Sequence, residues 1–320
     1  MPRATPAIRR LLLRVAAVIV IGAVAVLFAG ALVGGWERVR EYDIAVDWSW
    51  PVALVLFALA VASSGLLWGR VLSRVSPETA APWWEALRSH LGGWVVRYIP
   101  GVGSLIYKIK WAEGHGCSRL DAFVAFSYEN VFLQLASIVG GGAILVAVIG
   151  PDLVAGNLVV VILVGLLVVA MFIALSRPVM ARVLSFLATR RFRERVDAVR
   201  LIPTGRSLVF VIEYLVPRII NGAGVILIAI ALFGFRGADL LLVAAAYTVA
   251  GALGILAVFV PSGLGVREGS FVLLLTAGGI DPVDAVVLAV VARFVSTLAD
   301  LLVASGYGVL TLAHRKALPA

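Results

Sequence analysis

Long apolar runs separated by short charged stretches set the pattern of this chain. Residues 15–34, 51–69, 121–149, 153–175, 207–234, 239–259, 266–280 and 284–312 are each almost unbroken in apolar character. A helix rises 1.5 Å per residue and the hydrocarbon core is ~30 Å thick, so ~20 apolar residues predict a crossing. The pattern therefore predicts an all-α fold with about eight transmembrane helices, the seventh short for a full span. The stretch from Trp84 to Tyr107 is too interrupted to be an ordinary span. Arg9 and Arg10 ahead of the first run have the look of a signal peptide, but the length of that run and the seven that follow favour a retained helix.

Two interruptions lie about half a chain apart. The first reads Arg97-Tyr98-Ile99-Pro100-Gly101-Val102-Gly103, and the second Val258-Phe259-Val260-Pro261-Ser262-Gly263-Leu264-Gly265-Val266-Arg267-Glu268. Proline removes a backbone donor and glycine accepts any φ, so a helix stops at each. Unpaired backbone at membrane depth survives only inside protein or beside a watery cavity. Broken helices at matching places in two halves point to a transporter-type site. The expectation is one membrane domain over 1–320, with halves 10–175 and 207–315 as candidate inverted repeats. A basic amphipathic segment, 176–206, would join them on the inner leaflet.

Composition secures the class. Apolar residues make up 62%, charged residues 14%, and the mean hydropathy is +1.06, against ~25% charged in soluble domains. The lone Cys117 excludes an internal disulfide, and His90, His115 and His314 lack metal-ligand spacing, so neither a metal nor a cofactor is expected. The net charge of +9 is a topology signal, not a nucleic-acid footprint, because 21 of the 27 basic residues fall in the N-terminus, 70–119, 176–206 and the C-terminus. By the positive-inside rule that side, with both termini, is cytoplasmic.

Ionisable residues at membrane depth cost at least ~2.5–3.5 kcal/mol each on insertion scales, so each needs a reason. Glu129, Glu213, Arg218, Arg267, Glu268, Arg293 and Asp300 stand inside or beside predicted spans. An arginine in a protected cavity suits a phosphate bidentately, and a carboxylate suits a cationic headgroup, a coupling proton or charge balance. Whether Glu129 faces Arg293 stays open at this level. The three histidines fall in predicted loops or the tail, no Asp-x-Asp is present, and no Gly-x-x-x-x-Gly-Lys loop is present, so neither catalysis nor ATP hydrolysis is expected.

At these residues the chain resembles the lysylphosphatidylglycerol synthase transmembrane (flippase-like) family. The resemblance rests on Arg97-Tyr98-Ile99-Pro100-Gly101, Glu129, Pro261-Ser262-Gly263-Leu264-Gly265-Val266-Arg267-Glu268 and Arg293, and extends from about residue 10 to 315. It implies a bacterial or archaeal inner-membrane protein that moves a phospholipid or lipid-linked headgroup between leaflets. Ser262 replaces a glycine common in relatives, and Ser104 stands where some carry an acid. The sequence given ends at Ala320 without the aminoacyl transferase domain of bifunctional members, so lipid synthesis is not expected. The candidate headgroup-binding set is Arg97, Tyr98, Pro100, Gly101, Glu129, Pro261, Gly263, Gly265, Arg267, Glu268 and Arg293. Expected partners are anionic or aminoacylated phospholipids, a lipid-modifying enzyme and a second copy of the chain, with no nucleic acid. Alternatives are an ion-coupled carrier of a small solute and a non-transporting partner of a lipid-modifying or glycosyl-transfer enzyme.

Overall fold

The computed structural model describes residues 47–79, 81–98, 103–150, 158–192, 201–256, 263 and 265–317. The predicted span at 15–34, together with Pro100, Gly101, Pro261 and the side chain of Tyr98, lies outside what it describes. Among the described residues all regular structure is helical: α1 (Ser49–Val75), α2 (Trp83–Val95), α3 (Gly103–Glu113), α4 (Arg119–Leu135), α5 (Gly142–Ile149), α6 (Leu158–Ala174), α7 (Arg177–Phe192), α8 (Thr204–Glu213), α9 (Leu215–Phe233), α10 (Ala238–Leu256), α11 (Val266–Ala277) and α12 (Pro282–Ala317). Among the described residues five stretches are long and apolar enough to cross a membrane: Ser49–Val75, Arg119–Ile149, Thr204–Phe233, Ala238–Leu256 and Pro282–Leu312. Of the predicted span at 153–175, the residues from Leu158 to Ala174 are described and are helical, and the predicted span at 266–280 is a helix of 12 residues.

Local chemistry explains the interruptions. A π-helical turn at Ala136–Gly141 joins α4 to α5, and there a Cβ on Gly141 would stand 2.8 Å from Val249 Cγ2 and 3.1 Å from the Ala245 carbonyl. Small residues let two helices approach closely where lipid offers no hydrophobic drive. The α8–α9 break falls at Tyr214, because Pro217 has no N–H for the carbonyl of Glu213. Gly263 (φ +65°) and Gly265 (φ +81°) adopt left-handed backbone just before α11. A Cβ on Gly263 would sit 2.5 Å from the Gly254 carbonyl, so the returning chain lies directly on α10. Helix α7 buries Met180 and Leu184 on one side. Its basic and apolar positions are spread around the axis, though, so its described part is not the two-faced helix the composition suggested. Residues 193–200, with Arg193, Arg195 and Arg200, lie outside the described residues.

Two matching groups of helices pack against each other. The order long helix, hairpin arm, break, short arm, long helix occurs as α1–α2–α3–α4/α5 and again as α9–α10–α11–α12. Helix α1 runs antiparallel to α9: Ala53 and Phe57 meet Gly224, while Arg70 at the far end meets Glu213. Each hairpin reaches across to the last helix of the other group. Arm α2 packs on α12, with Leu91 beside Gly306 and Trp94 on Asp300, and α10 packs on α4 and the π turn through Gln134 and Gly141. The hairpins also enter from opposite ends of α1. His90 of α2 lies against Gly65, toward the C-terminal end of α1, whereas Tyr247 of α10 stacks on Phe57, toward its start.

Candidate functional site

The first group builds a buried polar triad. Lys108 on α3 donates from Nζ to both oxygens of Glu129 on α4, at 2.8 and 2.6 Å. Its ammonium also lies 3.0 Å from His90 Nδ1 on α2, and that nitrogen is 3.1 Å from Glu129 Oε1. All three side chains are buried, and the indole of Trp68 lies under the ammonium, 4.2 Å from Nζ to ring centroid. Stripped of water, a lysine at this depth needs a counter-charge and a π face, and it has both. Glu129, one of the sequence candidates, thus finds Lys108 and not Arg293.

Arg97 closes the first hairpin on α12. Its Nη2 donates to Asp300 Oδ2 at 2.7 Å, while Trp94 Nε1 donates to Asp300 Oδ1 at 2.7 Å. The guanidinium is stacked 3.7 Å over the Trp94 ring. One carboxylate is thereby held by two donors from one helical turn, the planar recognition to which arginine is suited.

The second group gathers Arg267, Glu268 and Arg293. Glu268 Oε2 accepts from the N–H of Gly265, at 2.8 Å, closing the first turn of α11. Its other oxygen is 3.4 Å from Arg293 Nη1 on α12. Arg267 lies 4.5 Å over the ring of Tyr247. Tyr247, Arg267, Glu268, Phe271, Ala289 and Arg293 line a small cleft open to its surroundings. Arg218 of α9 is within electrostatic range of Arg267, Tyr247 and Tyr214. Several donors here have no acceptor among the described residues: Arg218 Nε, Tyr247 Oη and Tyr214 Oη are buried and unpartnered. A buried donor left unpaired costs about 1–3 kcal/mol, so three together mark a place shaped for something else.

Along residues 12–304 the chain matches the model of the family described as the lysylphosphatidylglycerol synthase TM region. The chain belongs to that family. No curated protein matches it. The lysylphosphatidylglycerol synthase TM region is a membrane domain and not the transferase domain, in keeping with a multi-pass helical chain tied to lipid metabolism or translocation.

Of the eleven sequence candidates, seven are described with their surroundings: Arg97, Glu129, Gly263, Gly265, Arg267, Glu268 and Arg293, of which the two glycines contribute only backbone to the α10–α11 turn. Lys108, His90, Tyr247 and Arg218 were not in the sequence set. Lys108 and His90 read as loop residues, because the interrupted stretch hid the hairpin whose two arms bring them together. Arg218 was visible as a charge inside a span, and its one available signal, the absence of an acid at i±3 or i±4, carries little weight without the fold.

Proposed function

We propose that this membrane domain is a lipid translocase, holding a phosphate-bearing headgroup in a polar cavity between the two helix groups while the acyl chains stay in lipid. The observation that carries the reading is the cluster of Arg218, Arg267, Arg293 and Tyr247 beside the second hairpin, with buried donors that lack acceptors. A headgroup crossing the bilayer unaided loses its hydration, and a protein-lined polar path replaces that hydration with fixed donors and charges. Arg267 and Arg293 would take phosphate oxygens, and movement of the two helix groups against each other would open the cavity to one leaflet or the other. Arg97 on Asp300 and the Lys108–Glu129 pair hold the first hairpin in position. Both termini would lie on the cytoplasmic face of the inner membrane, following the basic loops.

The test is leaflet exchange in proteoliposomes containing head-labelled phosphatidylglycerol, its lysylated form or a zwitterionic lipid. Wild type is expected to exchange at least one of these, and Arg293→Gln and Arg267→Gln to lower the rate at least tenfold while folding normally. No exchange of any lipid by folded wild-type protein would overturn the reading. Gradient-driven uptake of a soluble solute would then favour a carrier, and recovery of a bound lipid-modifying enzyme a non-transporting partner.

A further inference from the structure

The charges around the two hairpins do not balance, and the imbalance has a location. Setting aside the pairs Arg88–Glu85 and Arg119–Glu113 and the exposed Lys110 and Asp239, five cations, Arg97, Lys108, Arg218, Arg267 and Arg293, stand with three carboxylates, Glu129, Glu268 and Asp300. Each carboxylate already faces a cation: Glu129 faces Lys108, Asp300 faces Arg97 beside Trp94, and Glu268, whose Oε2 accepts from the Gly265 N–H while its Oε1 accepts no hydrogen bond, lies 3.4 Å from Arg293. Glu213, the remaining acid of α8, is held by Arg70. The surplus is therefore Arg218 and Arg267, neither of which meets a carboxylate among the described residues, and both lie around Tyr247. Beside them Arg218 Nε and Tyr247 Oη are unpartnered donors, and Tyr214 Oη, packed on Phe132 within electrostatic range of Arg218, is another.

Resting on the translocase reading, we infer that the Arg218–Arg267–Tyr247 cluster is a subsite for a doubly ionised phosphate, a terminal monoester or a pyrophosphate, and that it discriminates against aminoacylated headgroups. A monoester carries about −1.5 to −2 charges near neutral pH, which matches two unneutralised guanidinium groups. Its several acceptor oxygens match donors that otherwise have none, and guanidinium forks suit them in geometry. A diester carries a single charge and leaves one arginine uncompensated. A lysylated diester brings two ammonium groups to a cavity whose carboxylates each already face a cation, so it adds to the surplus. Discrimination of this kind comes from unpaired charge on the wrong ligand as much as from contacts to the right one.

The experiment measures binding to the purified full chain in detergent, using dihexanoyl phosphatidic acid as the monoester, dihexanoyl phosphatidylglycerol as the diester, its lysylated derivative, and inorganic pyrophosphate. The monoester is expected to bind at least tenfold more tightly than the lysylated lipid, with the diester between them. Arg218→Gln and Arg267→Gln should each weaken the monoester about tenfold and narrow the gap to the diester. Tyr247→Phe, which deletes only a hydroxyl, should weaken it several-fold without altering thermal unfolding, and so keeps the test valid if an arginine variant misfolds. Inorganic pyrophosphate competing as well as the short-chain lipid would support the subsite and assign it to a soluble phosphate, overturning the lipid reading. Binding of the lysylated lipid as tight as the monoester, or unchanged monoester binding in all three variants, would overturn the subsite while leaving lipid exchange to be judged by the liposome assay.

Discussion

Lys108 shows how a single residue ties folding to the site. Its ammonium is buried between Glu129, His90 and the Trp68 ring, and removing one partner of such a pair costs roughly 3–5 kcal/mol, because the other charge stays behind in a dry place. Glu129→Gln is therefore expected to lower the unfolding temperature in detergent markedly, whereas Lys108→Met combined with Glu129→Leu recovers most of it. A double variant as unstable as the single one would mean that the pair does more than balance charge. The comparison also separates two causes of lost lipid exchange, since only the double variant removes the charges while keeping the fold. Cys117 gives a second residue-scale expectation. It sits buried in the turn before α4, and burial pushes its thiol above the ordinary cysteine value. Because the thiolate is the reactive form, maleimide should label the folded chain slowly at pH 7, faster as pH rises past the usual thiol range, and rapidly after unfolding in detergent. Rapid labelling of folded protein at pH 7 would contradict the burial.

The helices were legible in the sequence and the hairpin arms only in part, for reasons that belong to the elements themselves. Long apolar runs such as 51–69 and 284–312 became α1 and α12 because hydropathy alone decides them. The arms α2 and α3 mix Trp83, Glu85, Arg88, Lys108 and Lys110 with apolar residues, so no window average reveals them, and their pairing depends on glycines. Lys108 and Ser104 lie against Gly93 in the facing arm. Charge partners were less legible still: the spacing of Arg293 and Asp300 put them on one face of α12, but their partners, Glu268 and Arg97, come from different elements. The glycines yield a direct prediction. Gly263 combines φ +65° with a Cβ position 2.5 Å from the Gly254 carbonyl, so Gly263→Ala meets both a backbone strain of order 1–3 kcal/mol and a clash with backbone. Gly142, inside α5 with open space around its Cβ position, is the control: Gly142→Ala should be neutral or stabilise by up to ~1 kcal/mol. Thermal unfolding of the two variants in one detergent checks both, and equal melting temperatures would refute the close approach at the α10–α11 turn.

At the scale of the whole molecule, each hairpin contacts the last helix of the opposite group, so neither group can change its opening without moving against the other. Arm α2 is pinned to α12 by Asp300, which holds both Arg97 and Trp94. The corresponding contact of α10 on α4 is lighter, a single bond from Gln134 to the Ala252 carbonyl at 3.2 Å beside the tight Gly141–Val249 approach. If the hairpins alternate in opening the cavity, the α10–α4 seam is the one that parts more readily, since among the described residues it has no ion pair to break. In a Cys117→Ala background, Gly141→Cys with Val249→Cys places two thiols across that seam, and Leu91→Cys with Gly306→Cys places two across the other. Oxidising the first pair, or bridging the second with a short bis-methanethiosulfonate, should stop lipid exchange, and reduction should restore it. Asp300→Asn, which frees the heavier seam, should then shift the population toward opening on the α2–α12 side and raise reactivity of a cysteine at Leu91. Exchange that continues unchanged with both seams locked would show that the headgroup travels outside the space between the two groups.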